Sequence, residues 1–170
     1  MAVEAALTYS RYSASVILVG RNEEKLRSVA HEIQQAGGIP ARWFTLDLLT
    51  CTPQECQQLA QKIAIHYPRL DGVLHNAGLL GDVCPMVQQK PEVWQQVMQV
   101  NVNGTFMLTQ ALLPLLLESE SGSLVFTSSS GRPPGTRELG RVRRVEIRHR
   151  GHDAGAGRGV SEPSSAGQLH

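Results

Sequence analysis

With 170 residues, a formal net charge of +1 and 41% hydrophobic content, the chain can bury one core of ordinary size and is too short for two domains. Near-neutral charge argues against dedicated nucleic-acid binding by the whole chain, and no run of about eighteen apolar residues is present to span a membrane. Residues 1–12 lack the basic region and apolar run of a secretory signal, and Cys51, Cys56 and Cys84 show neither metal-ligand nor redox-pair spacing, so the expectation is a cytoplasmic protein with reduced, partly buried thiols and no metal.

Residues 2–13 read as a helix with Val3, Ala6, Leu7 and Ala14 on one side. Residues 15–20 (Ser-Val-Ile-Leu-Val-Gly) form a short β-branched run typical of a buried parallel strand. Asn22 caps the next helix, Glu23 and Glu24 favour its positive end, and Leu26, Val29, Ala30 and Ile33 supply its apolar face until Gly37 and Gly38 end it. Residues 42–47 (Arg-Trp-Phe-Thr-Leu-Asp) are of strand type. Thr52, Pro53 and Glu55 combine a capping box with a proline at the first helical position, and Cys56, Leu59, Ala60 and Ile63 line that helix's inner face before Pro68. Residues 72–78 run from a strand into a glycine turn, residues 91–117 form a longer helical region with Val93, Val97, Val100 and Phe106 apolar, and residues 123–127 are the last expected strand, ending in Ser128, Ser129 and Ser130.

Strands alternate with helices over short links, which defines an α/β class with a doubly wound parallel sheet and helices on both faces. Ligands in such sheets sit beyond the carboxyl ends of the strands. Those ends carry Arg21, Asp47, the turn Asn76-Ala77-Gly78, and the three serines.

The order of these motifs resembles the short-chain dehydrogenase/reductase family over residues 1–130. The resemblance implies an incomplete Rossmann-type domain binding a nicotinamide dinucleotide, with Arg21, Asp47, Asn76, Ala77 and Gly78 as cofactor residues. A cation where NAD-specific relatives place an acid implies NADP; the plain alternative is a solvated arginine at a strand end. Asp47 matches the acid near the adenine and reads equally as an aspartate opening a turn. Asn101, in the run Asn101-Val-Asn-Gly104, matches an asparagine of the proton relay, against the alternative of an exposed mid-helix residue. Ser129 matches the serine that hydrogen-bonds the substrate, with Ser130 one position away. His75 stands where the family has an asparagine; a histidine on an apolar strand reads as a satisfied core residue and is given no role.

Two family features are lacking. The glycine-rich phosphate loop and the strand before it would precede Val3, and no Tyr-x-x-x-Lys occurs; the tyrosine slot, thirteen residues after Ser129, holds Val142. Composition also changes after Ser130: eight of thirteen arginines fall in residues 131–170, whereas Lys25, Lys62 and Lys90 are the only lysines. Reverse translation from Gly131 with one G removed reads Asn-Trp-Gly-Ala-Tyr-Ala-Ala-Ser-Lys-Phe in the slots around Leu139 to Arg148, with the tyrosine thirteen codons after Ser129, so a one-base insertion near the Ser130 codon is expected. The division is therefore a partial Rossmann unit at 1–130 and an out-of-frame tail of low order at 131–170.

The expected function is that of an NAD(P)-dependent oxidoreductase moving hydride between nicotinamide and a carbonyl or alcohol substrate, with this chain itself inactive. Intact relatives are expected to form homo-oligomers. The alternative is a non-enzymatic fragment whose Arg141, Arg143, Arg144, Arg148 and Arg150 bind nucleic acid or an acidic partner, against which stand Glu138, Glu146 and the lack of any aromatic residue after Phe126.

Overall fold

A computed structural model of the chain describes residues 2–128 together with the backbone of residues 142–147. Its elements are α1 (Ala2–Arg11), β1 (Ile17–Gly20), α2 (Glu23–Gln35), β2 (Arg42–Thr45), α3 (Pro53–Ala64), β3 (Gly72–His75), α4 (Pro91–Met98), α5 (Thr105–Leu117), β4 (Gly122–Thr127) and β5 (Val142–Ile147). A 3₁₀ turn (Met86–Gln88) precedes α4, and a π-helical segment (Gln99–Gly104) joins α4 to α5.

The helices begin where their capping chemistry places them. The Asn22 side chain accepts the Lys25 N–H, and Thr52 and Glu55 close a reciprocal capping box with Pro53 in the first turn of α3. Gly37, at φ 79°, takes the left-handed conformation just past α2 that a residue with a Cβ adopts only with strain.

The strands make two sheets. β1 pairs with β2 in parallel, Ile17 opposite Arg42 through Gly20 opposite Thr45. β3 pairs with β4 in parallel, Gly72 opposite Ser123 through His75 opposite Phe126, and β5 adds to β4 antiparallel. The last of these corrects the expectation that residues 123–127 are the final strand. Three β-branched residues in six (Val142, Val145, Ile147) give the segment strand propensity, which the arginine content masks. The rest of the expected tail lies outside the described residues.

Alternation along β1 divides the core. Val16 and Leu18 face Ala6, Ala30, Ile33 and Ala41 under α1 and α2, whereas Ile17 faces the other cluster with Phe44 of β2. That second cluster joins α3 (Cys56, Leu59, Ala60, Ile63) to α5 (Leu108, Leu112) and reaches Val73 of β3. The two sheets share no ladder among the described residues, so the α3–α5 contact is their main tie.

In the long helical region Val93, Val97 and Val100 are half-buried. Phe106 is 61% exposed, and the residues turned inward are Thr105, Leu108, Leu112 and Leu116. The π segment rotates the helix face, which a constant 3.6-residue period does not anticipate. By length and composition the 27 residues from Pro91 to Leu117 are long and apolar enough to cross a membrane, and Leu108 and Leu112 within them pack against α3 in the core.

Candidate functional site

Arg21 follows β1 directly, and Asp47 lies two residues beyond β2. Because β1 and β2 run parallel in register, both residues emerge at the same end of the sheet. They line one open cleft of about 580 Å³, with Trp43, Thr45, Cys51 and the outer side of α3 (Glu55, Gln58, Lys62) completing its wall.

Asp47 does what a turn-opening aspartate does. Its Oδ1 accepts the Leu49 N–H at 3.0 Å, and its carbonyl accepts the N–H of Thr50 at 3.2 Å and of Cys51 at 2.8 Å. The cleft holds two cations, Arg21 and Lys62, against the carboxylates of Glu23, Asp47 and Glu55. Two of those carboxylates are already engaged: Glu23 pairs with Arg27 at 2.9 Å, and Glu55 accepts the Thr52 N–H at 2.8 Å and its hydroxyl at 2.9 Å. The Glu55 carboxyl is accordingly held below its usual range by the Thr52 backbone hydrogen bond first and the hydroxyl second. Among the described residues Arg21 makes no ion pair, so an anionic ligand meets an uncommitted guanidinium there.

Asn76, Ala77 and Gly78 leave the end of β3 and lie outside that cleft's wall. Asn76 Oδ1 accepts the Thr127 hydroxyl at 3.1 Å, tying the ends of β3 and β4 together. Ala77 and Gly78 are exposed. Behind them, Asn101 is committed at both ends: its Oδ1 accepts the Leu79 N–H at 2.8 Å and its Nδ2 donates to the Leu79 carbonyl at 2.9 Å. Asn101 thus holds the strand-end loop in place from the π segment. Ser129 and Ser130 lie outside the described residues, and Ser128 is the last of the three serines with a described position.

Sequence reasoning passed over the contact that links the two groups. Gln99 Nε2 donates to the Leu48 carbonyl at 3.2 Å, and a Cβ on Gly104 would stand 2.5 Å from that carbonyl oxygen and 3.0 Å from the Leu48 Cβ. The π segment therefore docks on the loop after Asp47 at a position where a side chain has no room. The run Asn101-Val-Asn-Gly104 contains the signal, a glycine in mid-helix, but only the asparagine is singled out by residue type. Gly104→Ala is expected to cost about 1–3 kcal/mol by overpacking. Urea unfolding checks it, and a variant within about 0.5 kcal/mol of the parent is inconsistent with this docking.

His75, by contrast, is the core residue that its apolar strand suggests. It is buried, stacks on Phe126 with ring centroids 5.1 Å apart, and places Nε2 2.9 Å from the Thr109 hydroxyl. That hydroxyl donates to the Thr105 carbonyl at 2.7 Å, so towards His75 it accepts, and Nε2 carries the proton.

Parallel strands, crossing helices and a polar set gathered at the strand ends define a Rossmann-type α/β protein. More narrowly, the chain belongs to the short chain dehydrogenase family, whose family model matches residues 1–136. It is 75% identical over 127 residues to the uncharacterized oxidoreductase YciK of Escherichia coli (strain K12), covering 75% of this chain and 50% of that protein. Among solved structures, an Escherichia coli CFT073 protein complexed with NADPH is 72% identical with a TM-score of 0.73, over 76% of this chain and 55% of that one. A Shigella flexneri 2a str. 301 protein complexed with NADP is 71% identical with a TM-score of 0.73, over 76% of this chain and 56% of that one. The chain thus spans about half the length of the curated relatives it matches.

Proposed function

We propose that this chain carries part of the nucleotide site of an NADP-dependent oxidoreductase acting on a small carbonyl or alcohol substrate, and that as it stands it performs no turnover. The observation that carries the reading is the uncommitted Arg21 at the cleft shared with Asp47. The residues fit one portion of the cofactor: Arg21 offers the planar, permanently charged donor that suits a 2′-phosphate, and the polar strand ends suit a ribose. The NADPH and NADP complexes of relatives above 70% identity support the choice of cofactor. When bound, the nicotinamide supplies or accepts hydride.

In this reading Asn76, Ala77 and Gly78 bring the β3 strand end close to the cofactor, Asn101 keeps that loop and the proton relay in register, and Ser129, or Ser130 beside it, orients the substrate oxygen. The proton transfer itself has no donor. Tyr9, Tyr12 and Tyr67 are the only tyrosines, none has a lysine four residues on, and the first two lie in and just after α1. Loss of a positioned acid/base removes about 10²–10⁴ in rate. The free, buried thiols suit a reducing, cytoplasmic setting.

The full chain, supplied with NADPH and a panel of aldehydes and ketones, is expected to consume no cofactor above the protein-free rate. Substrate-dependent consumption abolished by heat denaturation overturns the inactivity. A one-base insertion near the Ser130 codon is the origin we propose for residues 131–170. Sequencing the source locus tests it: Tyr-x-x-x-Lys in the alternate frame is expected, and its absence there leaves the arginine-rich segment as a selected one.

A further inference from the structure

The start of α3 brings together two side chains that the linear sequence keeps apart. Thr52 is the N-cap, and its box with Glu55 fixes the first turn: Glu55 N–H to Thr52 Oγ1 at 3.3 Å, Thr52 N–H to the Glu55 carboxylate at 2.8 Å. In a helix capped this way, the residue before the cap packs against the fourth helical residue, usually as an apolar staple. Here those two positions are Cys51 and Cys56. Both are free and buried, and both belong to the same core cluster.

Their surroundings differ. Cys51 lines the cleft beside Asp47 and points its thiol at the Leu48 carbonyl, 3.8 Å away. Cys56 is 0% exposed. Cys84, the third cysteine, is half-buried and donates to Gln89 Oε1 at 3.5 Å.

We propose that Cys51 and Cys56 form an oxidative modification site, closing to a disulfide when a low-molecular-weight disulfide enters the cleft. The order of events follows from access. The Cys51 thiolate attacks the oxidant's S–S bond, forming a mixed disulfide and releasing one small thiol. The Cys56 sulfur then attacks Cys51 Sγ, forming the Cys51–Cys56 bond and releasing the second small thiol. Two protein S–H bonds and one oxidant S–S bond are lost, one protein S–S bond and two small-molecule S–H bonds form, and no net proton is released. The product makes the staple covalent and fixes the loop that follows Asp47 to the first turn of α3.

Burial raises both thiols, Cys56 to about 12, so little thiolate exists at neutral pH and the reaction is slow. With Cys51 raised from 9.0, the thiolate fraction and hence the initial rate should increase about tenfold per pH unit between roughly pH 7 and 8.5. The inference is independent of the nucleotide reading, since it requires only the contact and the cleft.

The experiment treats the folded full chain with oxidised glutathione, then unfolds, alkylates and digests it with trypsin. Cys51 and Cys56 fall in one tryptic peptide, Trp43 to Lys62, and Cys84 falls in another. The expected product is that first peptide lighter by two hydrogens, its alkylated form reduced at least about tenfold, and Cys84 joined to neither. In Cys56→Ser the reaction should stop at a glutathione adduct on Cys51. Two outcomes overturn the proposal: both cysteines remaining fully alkylatable at every oxidant level, or an adduct persisting on Cys51 in the parent protein while Cys56 stays a thiol.

Discussion

Ile63→Ala is expected to lower the stability of the chain by about 2–5 kcal/mol, a large share of the roughly 5–15 kcal/mol that holds a domain of this size together. Ile63 is 1% exposed and sits among Cys56, Leu59, Leu108 and Leu112, where α3 meets α5. The same cluster reaches Ile17 and Phe44 on one sheet and Val73 on the other. No described ladder joins the sheets, so a cavity here weakens the interface that keeps β1–β2 and β3–β4 together, with little backbone hydrogen bonding to resist the loss. Urea unfolding of the variant beside Gln58→Ala, an exposed control on the same helix, measures the effect. A loss below about 1 kcal/mol contradicts the view that the helix pair is the main tie.

Acid should weaken the fold through His75 by roughly 3 kcal/mol between pH 6.5 and 4. Burial pushes its pKa from 6.5 down to about 4. Between those values the unfolded chain takes up a proton that the folded chain refuses, so the contribution is complete above pH 6.5 and is lost as pH falls through the folded value. The geometry agrees with that sign: the ring lies on Phe126, and its Nε2–H is already placed on Thr109. His75→Asn removes the titration while keeping a polar group, so its stability should vary less steeply over the same range. Parallel pH profiles for the two proteins, measured by thermal or urea unfolding, would show the histidine has no such role.

The parts of the fold read from sequence are those set by local rules. Asn22, Thr52, Pro53 and Glu55 place two helix starts because capping is decided within four residues. Cys56, Leu59, Ala60 and Ile63 follow from a regular 3.6-residue stripe, and all four are buried. The parts that escaped depend on distant partners or broken periodicity. β5 exists through pairing with β4, and its alternation is blurred by Arg143, Arg144 and Glu146. The π segment breaks the 3.6-residue period, and beyond it Leu108, Leu112 and Leu116 are buried while Phe106 is exposed. The Cys51–Cys56 contact has the wrong spacing for a redox motif and becomes visible only once the capping box is seen to fold the chain back. At the site, residue type drew attention to Arg21, Asp47 and Asn101, and the structure brings the first two to one cleft while committing the third to Leu79. Gly104 and Gln99, which join the two groups through Leu48, carry no chemistry that would single them out beforehand.

The most direct test of the nucleotide reading is titration of the isotopically labelled full chain with adenosine 2′-phosphate, followed by amide chemical shifts, with adenosine 5′-phosphate as comparison. Saturable, salt-sensitive shifts centred on Arg21 and on residues 45–47 are expected, stronger for the 2′-phosphate and lost in Arg21→Ala. Equal responses to the two nucleotides, or shifts that leave Arg21 and Asp47 untouched, would contradict that reading.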